Sequence, residues 1–528
     1  MIGSSFLLLA AVMIPMSEPE KVVPMPVDLE SAADWPAPGM IVPSSVAFTP
    51  SGDAVTYLAP GESGSSQVLW RAGLADRDPQ VIARPPGEGN TEANLSLEEQ
   101  LRRERQRRRE VGITQVVRAE QSEALVLPLL GDLYLLGPGQ KELVALTRNG
   151  RGGLDPQLDR AGQRVAFIRE RELIVLDLRT KQERALTRDA PEGVSRGLAE
   201  FIAQEELGRQ SGFWWSPDGT RIAYQETDER HIPQFSITHQ GGEDFSIETH
   251  RYPFAGQANA RVRLGVVDAG GGATTWLKIA KDEEEFYLAR VTWESATNLL
   301  VQTLNRGQTR LTVARFDVAT GDRTVLWEER GEPWINLHDD LKVVGTEGFL
   351  WSSERSGFRH LELRDRQGRL IRVLTSGEWA VDEVLAVDAK RREVWFRGWR
   401  ESPVEAHVFR VSLAGGESTQ ITREPGMHTA VVAPTGDYLA ATWSTLEAPP
   451  RMALLERSGR VVKVLSDGAS DPRLSKRRLI PPRLTSLRNR EGVTLHGAYY
   501  AARGVEPGAR VPLIVMVYGG PHVQRVSR

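Results

Sequence analysis

A turn followed by a short apolar strand recurs along most of this 528-residue chain. The turns carry Gly together with Pro or Asp, as at 216–219 and 433–437. Glycine supplies the positive φ that a tight hairpin needs, and proline presets the turn before it. An aliphatic residue followed by Thr or Ser closes each unit, at Leu146-Thr147, Leu186-Thr187, Leu374-Thr375, Ile421-Thr422 and Leu465-Ser466.

The spacing of these closing pairs indicates the fold class. Thr147 and Thr187 lie 40 residues apart, and the gaps from Thr375 to Thr422 and from there to Ser466 are 47 and 44 residues. An all-β unit of this length is typical of a four-stranded propeller blade, and the chain has room for seven or eight of them. Two unrelated β-sandwiches are the alternative, but sandwiches do not explain a repeated period.

A different pattern begins near the end of the chain. The residues at 511–518 form a continuous apolar run, which is followed by Gly-Gly-Pro-His at 519–522. Because apolar and polar residues do not alternate there, the run predicts a strand buried on both faces of a parallel or mixed sheet. Six residues remain after 522, and we expect that the chain stops as an α/β domain begins.

Composition excludes several classes of protein. Lys and Arg number 66 against 70 Asp and Glu, giving a net charge of −4, whereas a nucleic-acid-binding protein usually has a basic excess. The chain has no Cys, which excludes disulfides, thiol nucleophiles and Cys-ligated zinc. The cluster His338, Asp339 and Asp340 lacks a metal-site spacing and is interpreted as a solvated loop. We therefore predict no cofactor, no metal and no nucleic-acid partner.

The amino terminus carries an apolar run of eleven residues at 6–16. A membrane-spanning helix needs about 20 such residues, so we predict no stable membrane anchor. The length suits the core of a signal peptide, although the first five residues lack Lys and Arg and no clear cleavage site follows. We interpret residues 1–20 as a possible signal peptide and predict a periplasmic or secreted protein, with a cytoplasmic location as the alternative.

Two segments interrupt the β pattern. The strongly basic segment 97–110 predicts a helix with almost no apolar face, either a solvated arm or the lining of a polar cavity. The segment 197–210 predicts a short helix inserted into a blade, and it carries Glu205 and Glu206 among apolar and aromatic residues. Two such carboxylates repel one another unless a cation binds between them, so this pair is a candidate ammonium site. Ser195 matches a Gly-x-Ser-x-Gly motif, but a loop precedes it rather than the strand that a nucleophile elbow requires.

Four motifs follow one another along the chain: Glu-Phe-Ile-Ala-Gln-Glu-Glu with Ser-Gly-Phe-Trp-Trp-Ser-Pro-Asp-Gly within 200–219, Arg-Tyr-Pro-Phe-Ala-Gly-Gln-Ala-Asn at 251–259, Trp-Ser-Ser-Glu-Arg-Ser-Gly-Phe-Arg-His-Leu at 351–361, and Val-Tyr-Gly-Gly-Pro-His at 517–522. Together they resemble the dipeptidyl peptidase IV family of serine peptidases. The resemblance implies a mainly β chain: an eight-bladed β-propeller over 21–480, followed at 481–528 by the first strands of an incomplete α/β-hydrolase domain.

The resemblance also implies roles for individual residues. Glu205 and Glu206 match the acidic pair that holds the substrate ammonium, and Tyr518 matches the tyrosine whose hydroxyl stabilises the oxyanion. The basic segment is similar to one in which an arginine reaches a backbone carbonyl of the substrate. Arg107 is the best match for that arginine, with Arg103 and Arg105 as alternatives.

Family members release dipeptides from peptides with a free N-terminus, mostly after a second-position Pro or Ala, and a homodimer is implied for the full-length protein. The nucleophilic Ser and its Asp and His would lie beyond the last residue, so the chain alone is expected to be inactive. A non-catalytic propeller that binds peptides or proteins is the alternative. An oligopeptidase or acylaminoacyl peptidase is a third possibility, against which the acidic pair argues because blocked peptides bring no ammonium.

Overall fold

The computed structural model describes residues 33, 35–61, 66–76, 78–87, 95, 97–241, 245–280, 284–474, 480–502, 504–506, 508–521 and 523–528. The possible signal peptide at 1–20 and His522 lie outside the described residues. The described chain is mainly β, and most of its strands form consecutive antiparallel meanders of four strands. Among the described residues, no helix has the length and apolar character needed to span a bilayer.

The first four meanders, here blades 1 to 4, contain these strands: β1 Ser44–Phe48, β2 Ala54–Pro60, β3 Gln67–Gly73 and β4 Gln80–Ala83; β5 Val117–Arg118, β6 Leu125–Leu129, β7 Asp132–Leu136 and β8 Val144–Ala145; β9 Leu154–Leu158, β10 Arg164–Arg169, β11 Glu172–Asp177 and β12 Glu183–Ala185; β13 Val194–Arg196, β14 Phe213–Trp215, β15 Arg221–Asp228, β18 Arg261–Asp268 and β19 Thr275–Leu277. A separate hairpin leaves blade 4 between β15 and β18 and consists of β16 Gln234–His239 and β17 Ser246–Arg251.

Blades 5 to 8 contain the following strands: β20 Phe286–Trp293, β21 Asn298–Asn305, β22 Arg310–Asp317 and β23 Arg323–Arg330; β24 Lys342–Val344, β25 Gly348–Ser353, β26 His360–Arg364 and β27 Leu370–Val373; β28 Val381–Asp388, β29 Glu393–Ser402, β30 Glu405–Ser412 and β31 Thr419–Gln420; β32 Met427–Val432, β33 Tyr438–Ser444, β34 Arg451–Glu456 and β35 Val461–Asp467. The helices are α1 Leu97–Arg105, α2 Phe201–Glu205 and a 3-10 turn at Gly468–Ser470, and a last hairpin pairs β36 Arg483–Arg488 with β37 Thr494–Tyr499.

Apolar clusters join consecutive blades around a ring. Eight clusters among the described residues each combine side chains from two neighbouring blades. The cluster that closes the ring packs Val55 and Tyr57 of blade 1 against Ala440 and Met452 of blade 8. The eight-bladed β-propeller predicted from the sequence is therefore confirmed.

The threonine of the repeated closing pair has the same structural role in four blades, whereas Ser466 of the fifth pair lies inside β35. The Thr147 hydroxyl accepts a hydrogen bond from the N–H of Leu133 at 2.9 Å, and the Thr422 hydroxyl accepts one from Val408 at the same distance. Equivalent bonds are made by the threonines at 187 and 375. Each bond ties the chain that follows the outer strand to the third strand of the blade. The period in the sequence therefore reflects one hydrogen bond, from a backbone N–H of the third strand to a threonine hydroxyl, that recurs from blade to blade.

Two sequence expectations differ from the structure. The helix predicted over 97–110 ends at Arg105, because Arg107 takes a left-handed φ of 53°. The buried strand predicted over 511–518 is not formed: the segment pairs with no described strand, and Ile514 and Met516 are 83% and 84% exposed. A strand of this type needs neighbours on both edges, and the described residues offer none beside it.

Removing one of the repeated hydroxyls should destabilise the propeller. We expect Thr422→Val to lower the free energy of unfolding by about 1–3 kcal/mol, because the buried N–H of Val408 loses its acceptor. Thr324→Val is the matched control, since Thr324 is exposed on the outer strand of blade 5. Urea unfolding followed by circular dichroism measures both, and equal stabilities of the two variants would contradict this role.

Candidate functional site

Helix α2 interrupts the first strand of blade 4 without breaking its sheet. The strand is split into β13 and β14, and both pieces pair with β15, from Val194 opposite Asp228 to Trp215 opposite Ile222. The segment between them, which contains α2, therefore leaves the strand and returns to it. The short helix predicted within 197–210 is confirmed.

A buried ion pair holds the two ends of this insertion together. The Glu200 carboxylate lies 3.0 Å from Nη2 of Arg209, and both side chains are 5% exposed. Arg209 also donates to the Leu288 carbonyl at 3.0 Å and to Gln225 Oε1 at 2.8 Å, and Gln225 donates to Glu200 at 2.6 Å. Burial lowers the pKa of the Arg209 guanidinium, and Glu200 opposes that shift. Removing either partner would leave a buried charge uncompensated.

The apolar side of α2 fixes which residues face outward. Ala203 and Leu207 are buried against Tyr287 and Leu337. Glu205 and Glu206 follow one another at the carboxyl end of the helix, and both are exposed. Among the described residues, Glu206 has no ion-pair partner. The fold therefore exposes both carboxylates on a helix whose apolar side packs against Tyr287 and Leu337.

Helix α1 brings an arginine to this acidic pair. Arg105 donates from Nη1 to Gln204 Oε1 at 3.1 Å, and its Nε lies 3.6 Å from Glu205 Oε1. Arg107 is exposed in the turn after α1, and no contact joins it to α2 among the described residues. Arg103 instead donates to Glu99 on its own helix at 3.1 Å. Of the three candidate arginines, Arg105 is the one that lies beside Glu205.

A buried ion pair also fixes the position of α1. Nη2 of Arg102 lies 2.7 Å from Oδ1 of Asp155 in blade 3, and the two side chains are 10% and 8% exposed. The helix is therefore not a solvated arm. It lines a cavity, which was the other possibility that the sequence left open.

That cavity has a volume of about 650 Å³ and lies between α1, α2 and the hairpin of β16 and β17. Four aromatic rings form one wall, with centroid separations of 4.9 to 6.2 Å; they belong to Phe201, Phe235, Tyr252 and Phe254. Glu229 also lines the cavity, and burial and the nearby Glu200 raise its pKa. The motif at 251–259 supplies part of this wall, whereas no sequence pattern singles out Glu229, because it lies in a loop with no repeating pattern.

The remaining candidates make no contact with Glu205 or Glu206 among the described residues. Tyr518 is 52% exposed in the extended carboxyl-terminal segment, and no contact joins it to α2 among the described residues. Ser195 lies inside β13, opposite Thr227, and not on a strand-to-helix turn. His338 donates from Nε2 to the Ser352 carbonyl at 2.9 Å, and burial lowers its pKa to about 4.

Arg209 and Gln225 are functional residues that sequence reasoning missed. The available signal was that Glu200 and Arg209 stand at the two ends of a short amphipathic segment.

Within the described part of the chain, no group of three or more His, Asp or Glu residues is placed to hold a metal ion.

Comparison with known proteins extends this picture. A family model for the dipeptidyl peptidase IV (DPP IV) N-terminal region matches residues 127–450. Dipeptidyl peptidase 8 of Homo sapiens is 27% identical over 541 residues, which cover 82% of this chain and 59% of that protein. A probable dipeptidyl peptidase 4 of Aspergillus fumigatus is 25% identical over 388 residues, covering 70% and 50%. The chain thus aligns with about half to three fifths of the length of these relatives.

A solved structure shows the same fold. The crystal structure of Porphyromonas gingivalis dipeptidyl peptidase 4 superposes with a TM-score of 0.72 at 20% sequence identity, covering 90% of this chain and 67% of that one. The family match takes in more than half of the chain and includes the whole of blade 4 with α2. By this match, together with its ring of eight blades, the chain belongs to the dipeptidyl peptidase IV family.

Proposed function

We propose that this protein holds the free N-terminus of a peptide on Glu205 and Glu206 and serves the release of N-terminal dipeptides whose second residue is Pro or Ala. The observation that carries the proposal is the exposure of two adjacent carboxylates on a helix anchored by a buried ion pair. An ammonium group has three N–H donors, so it can donate to both carboxylates at once.

The charges around α2 support a cationic ligand. Glu205 and Glu206 carry two negative charges, and Arg105 beside them supplies one positive charge. One net negative charge is left at the site, which the ammonium of a peptide would neutralise. A blocked N-terminus brings no such charge, which disfavours an acylaminoacyl peptidase.

Arg105 is our candidate for the arginine that reaches the first carbonyl of the bound peptide. Its contacts with Gln204 and Glu205 hold it next to the ammonium site, whereas Arg107 points to no residue of α2. When the ammonium site and the guanidinium that donates to the first carbonyl are a fixed distance apart, the peptide binds in a single register. That register would present the second peptide bond to a nucleophile.

Several expectations stay predictions: the role of Tyr518 in oxyanion stabilisation, the serine nucleophile with its Asp and His, the inactivity of this chain alone, the homodimer and the periplasmic or secreted location.

A non-catalytic propeller that binds peptides is the second candidate function, since the acidic helix and its anchoring pair both lie within this chain.

The acidic pair should control the affinity for peptides with a free N-terminus. We expect Glu205→Gln and Glu206→Gln each to weaken binding of Ala-Pro-Ala about 10–100-fold, because a charge-assisted hydrogen bond is worth about 1.5–3 kcal/mol. Isothermal titration calorimetry measures this, and N-acetylation of the peptide should weaken binding to the unmodified protein as strongly. Glu192→Gln, at an exposed loop residue, is the control. Unchanged affinity in both acidic variants would contradict the proposal.

The two arginines can be separated by one pair of variants. We expect Arg105→Gln to weaken Ala-Pro-Ala binding about tenfold, because the donor beside Glu205 is lost. Arg107→Gln removes the same charge from the exposed turn and should leave the affinity unchanged. The reverse order of effects would assign the role to Arg107.

A further inference from the structure

A second cavity, of about 360 Å³, lies between blades 1 and 2, and a half-buried arginine forms part of its wall. Arg118 stands at the end of β5 and donates hydrogen bonds to four oxygen atoms at 2.6–3.3 Å. These are the hydroxyl oxygens of Thr56 and Ser45 and the carbonyl oxygens of Ser45 and Val116. All four acceptors are uncharged, so they orient the guanidinium without neutralising it.

The buried arginines among the described residues of this propeller are neutralised by a carboxylate. Arg209 pairs with Glu200, and Arg102 pairs with Asp155. Arg118 has no carboxylate partner among the described residues. Burial lowers the pKa of Arg118 to about 10, with no neighbouring charge acting against the shift. A partly buried cation without a counter-charge is destabilising, and an anion in the adjoining cavity would offset that cost.

Two more cations line the same cavity. Lys141 forms no ion pair with a described residue, and the guanidinium of Arg71 lies 3.7 Å from Asp53, outside hydrogen-bonding range. Glu123 is the acidic residue in the lining. Because Arg71 forms an ion pair with Asp53, three cations and two carboxylates leave one net positive charge around the cavity.

The rest of the lining is largely apolar. It includes the side chains of Phe48, Ile82, Leu125 and Leu136, and Thr49 and Ser122 also line the cavity. A free inorganic anion would meet the cations but would leave these apolar side chains against water. An anion that carries an apolar body satisfies both parts of the lining.

The cavity lies at the end of the ring opposite α2. Its loops join the first strand of a blade to the second, or the third to the fourth, as at 49–53, 119–124 and 137–143. Helix α1 and the hairpin of β16 and β17 instead occupy connections from fourth to first and from second to third strands. Because consecutive antiparallel strands alternate in direction, the two sets of loops emerge on opposite faces.

We propose that the cavity between blades 1 and 2 binds an amphiphilic organic anion, a carboxylate with a medium-length apolar body, separately from the peptide site. The carboxylate lies toward Arg71, Arg118 and Lys141, and the hydrocarbon part packs on Phe48 and Leu125. Arg118 supplies charge, while Arg71 and Lys141 at the rim supply the free N–H donors.

The test is isothermal titration calorimetry of the full chain with octanoate, octanamide and inorganic phosphate. We expect submillimolar binding of octanoate, and at least about tenfold weaker binding of octanamide, which has the same body without the charge. Phosphate, which has the charge without the body, should also bind at least about tenfold more weakly.

The double variant Arg71→Gln with Lys141→Gln should weaken octanoate binding at least about tenfold. The matched control is Arg323→Gln with Lys390→Gln, which removes the same charge from exposed residues of blades 5 and 7 and should change nothing. Absence of octanoate binding at about 10 mM, equal affinity for octanamide or phosphate, or equal affinity of the two double variants would each overturn the proposal. Unchanged melting temperatures show that the variants fold.

Discussion

The buried ion pair between Glu200 and Arg209 is the interaction on which the proposed peptide site depends. A helix as short as α2 has no stability of its own in water, because nucleation costs more than its few hydrogen bonds return. Here the pair joins the two ends of the insertion, and Leu207 is buried in the apolar cluster that holds α2 against the propeller. Glu205 is then held at the carboxyl end of a fixed helix rather than on a flexible loop.

The propeller makes this arrangement possible. Each blade is tied to the next by an apolar cluster, and the ring closes through Tyr57 and Met452. The first strand of blade 4 pairs with β15 both before and after the insertion, so the extra residues interrupt few of the hydrogen bonds of the sheet. The hairpin that leaves the same blade then supplies the aromatic wall beside α2.

Much of the fold could be predicted from the sequence because its signals are local. The closing threonines, such as Thr422, recur because each makes the same backbone hydrogen bond in its own blade. The acidic pair at Glu205 and Glu206 was detectable because carboxylates among apolar residues are unusual. These signals do not depend on which blades lie next to one another.

The missed features depend on tertiary structure. The family resemblance favours Arg107 and leaves Arg103 and Arg105 as alternatives, and the packing of α1 against α2 places Arg105 beside Glu205. The partner of Glu200 was equally hidden, because Arg209 reaches it by folding back across the insertion. The environment of Arg118 could not be predicted either, because the junction of two blades surrounds it with uncharged acceptors and with no carboxylate partner in the part of the chain that the structure describes.

Hydrogen–deuterium exchange of α2 tests the central claim most directly. The N–H groups of Glu206, Leu207 and Arg209 donate to carbonyls of α2, so they should be protected in the peptide-free protein. Glu200→Gln should reduce that protection at least about 100-fold, while the blades keep theirs. If these amides exchange freely until a peptide is added, or if Glu200→Gln leaves their protection unchanged, the buried pair does not preform the site.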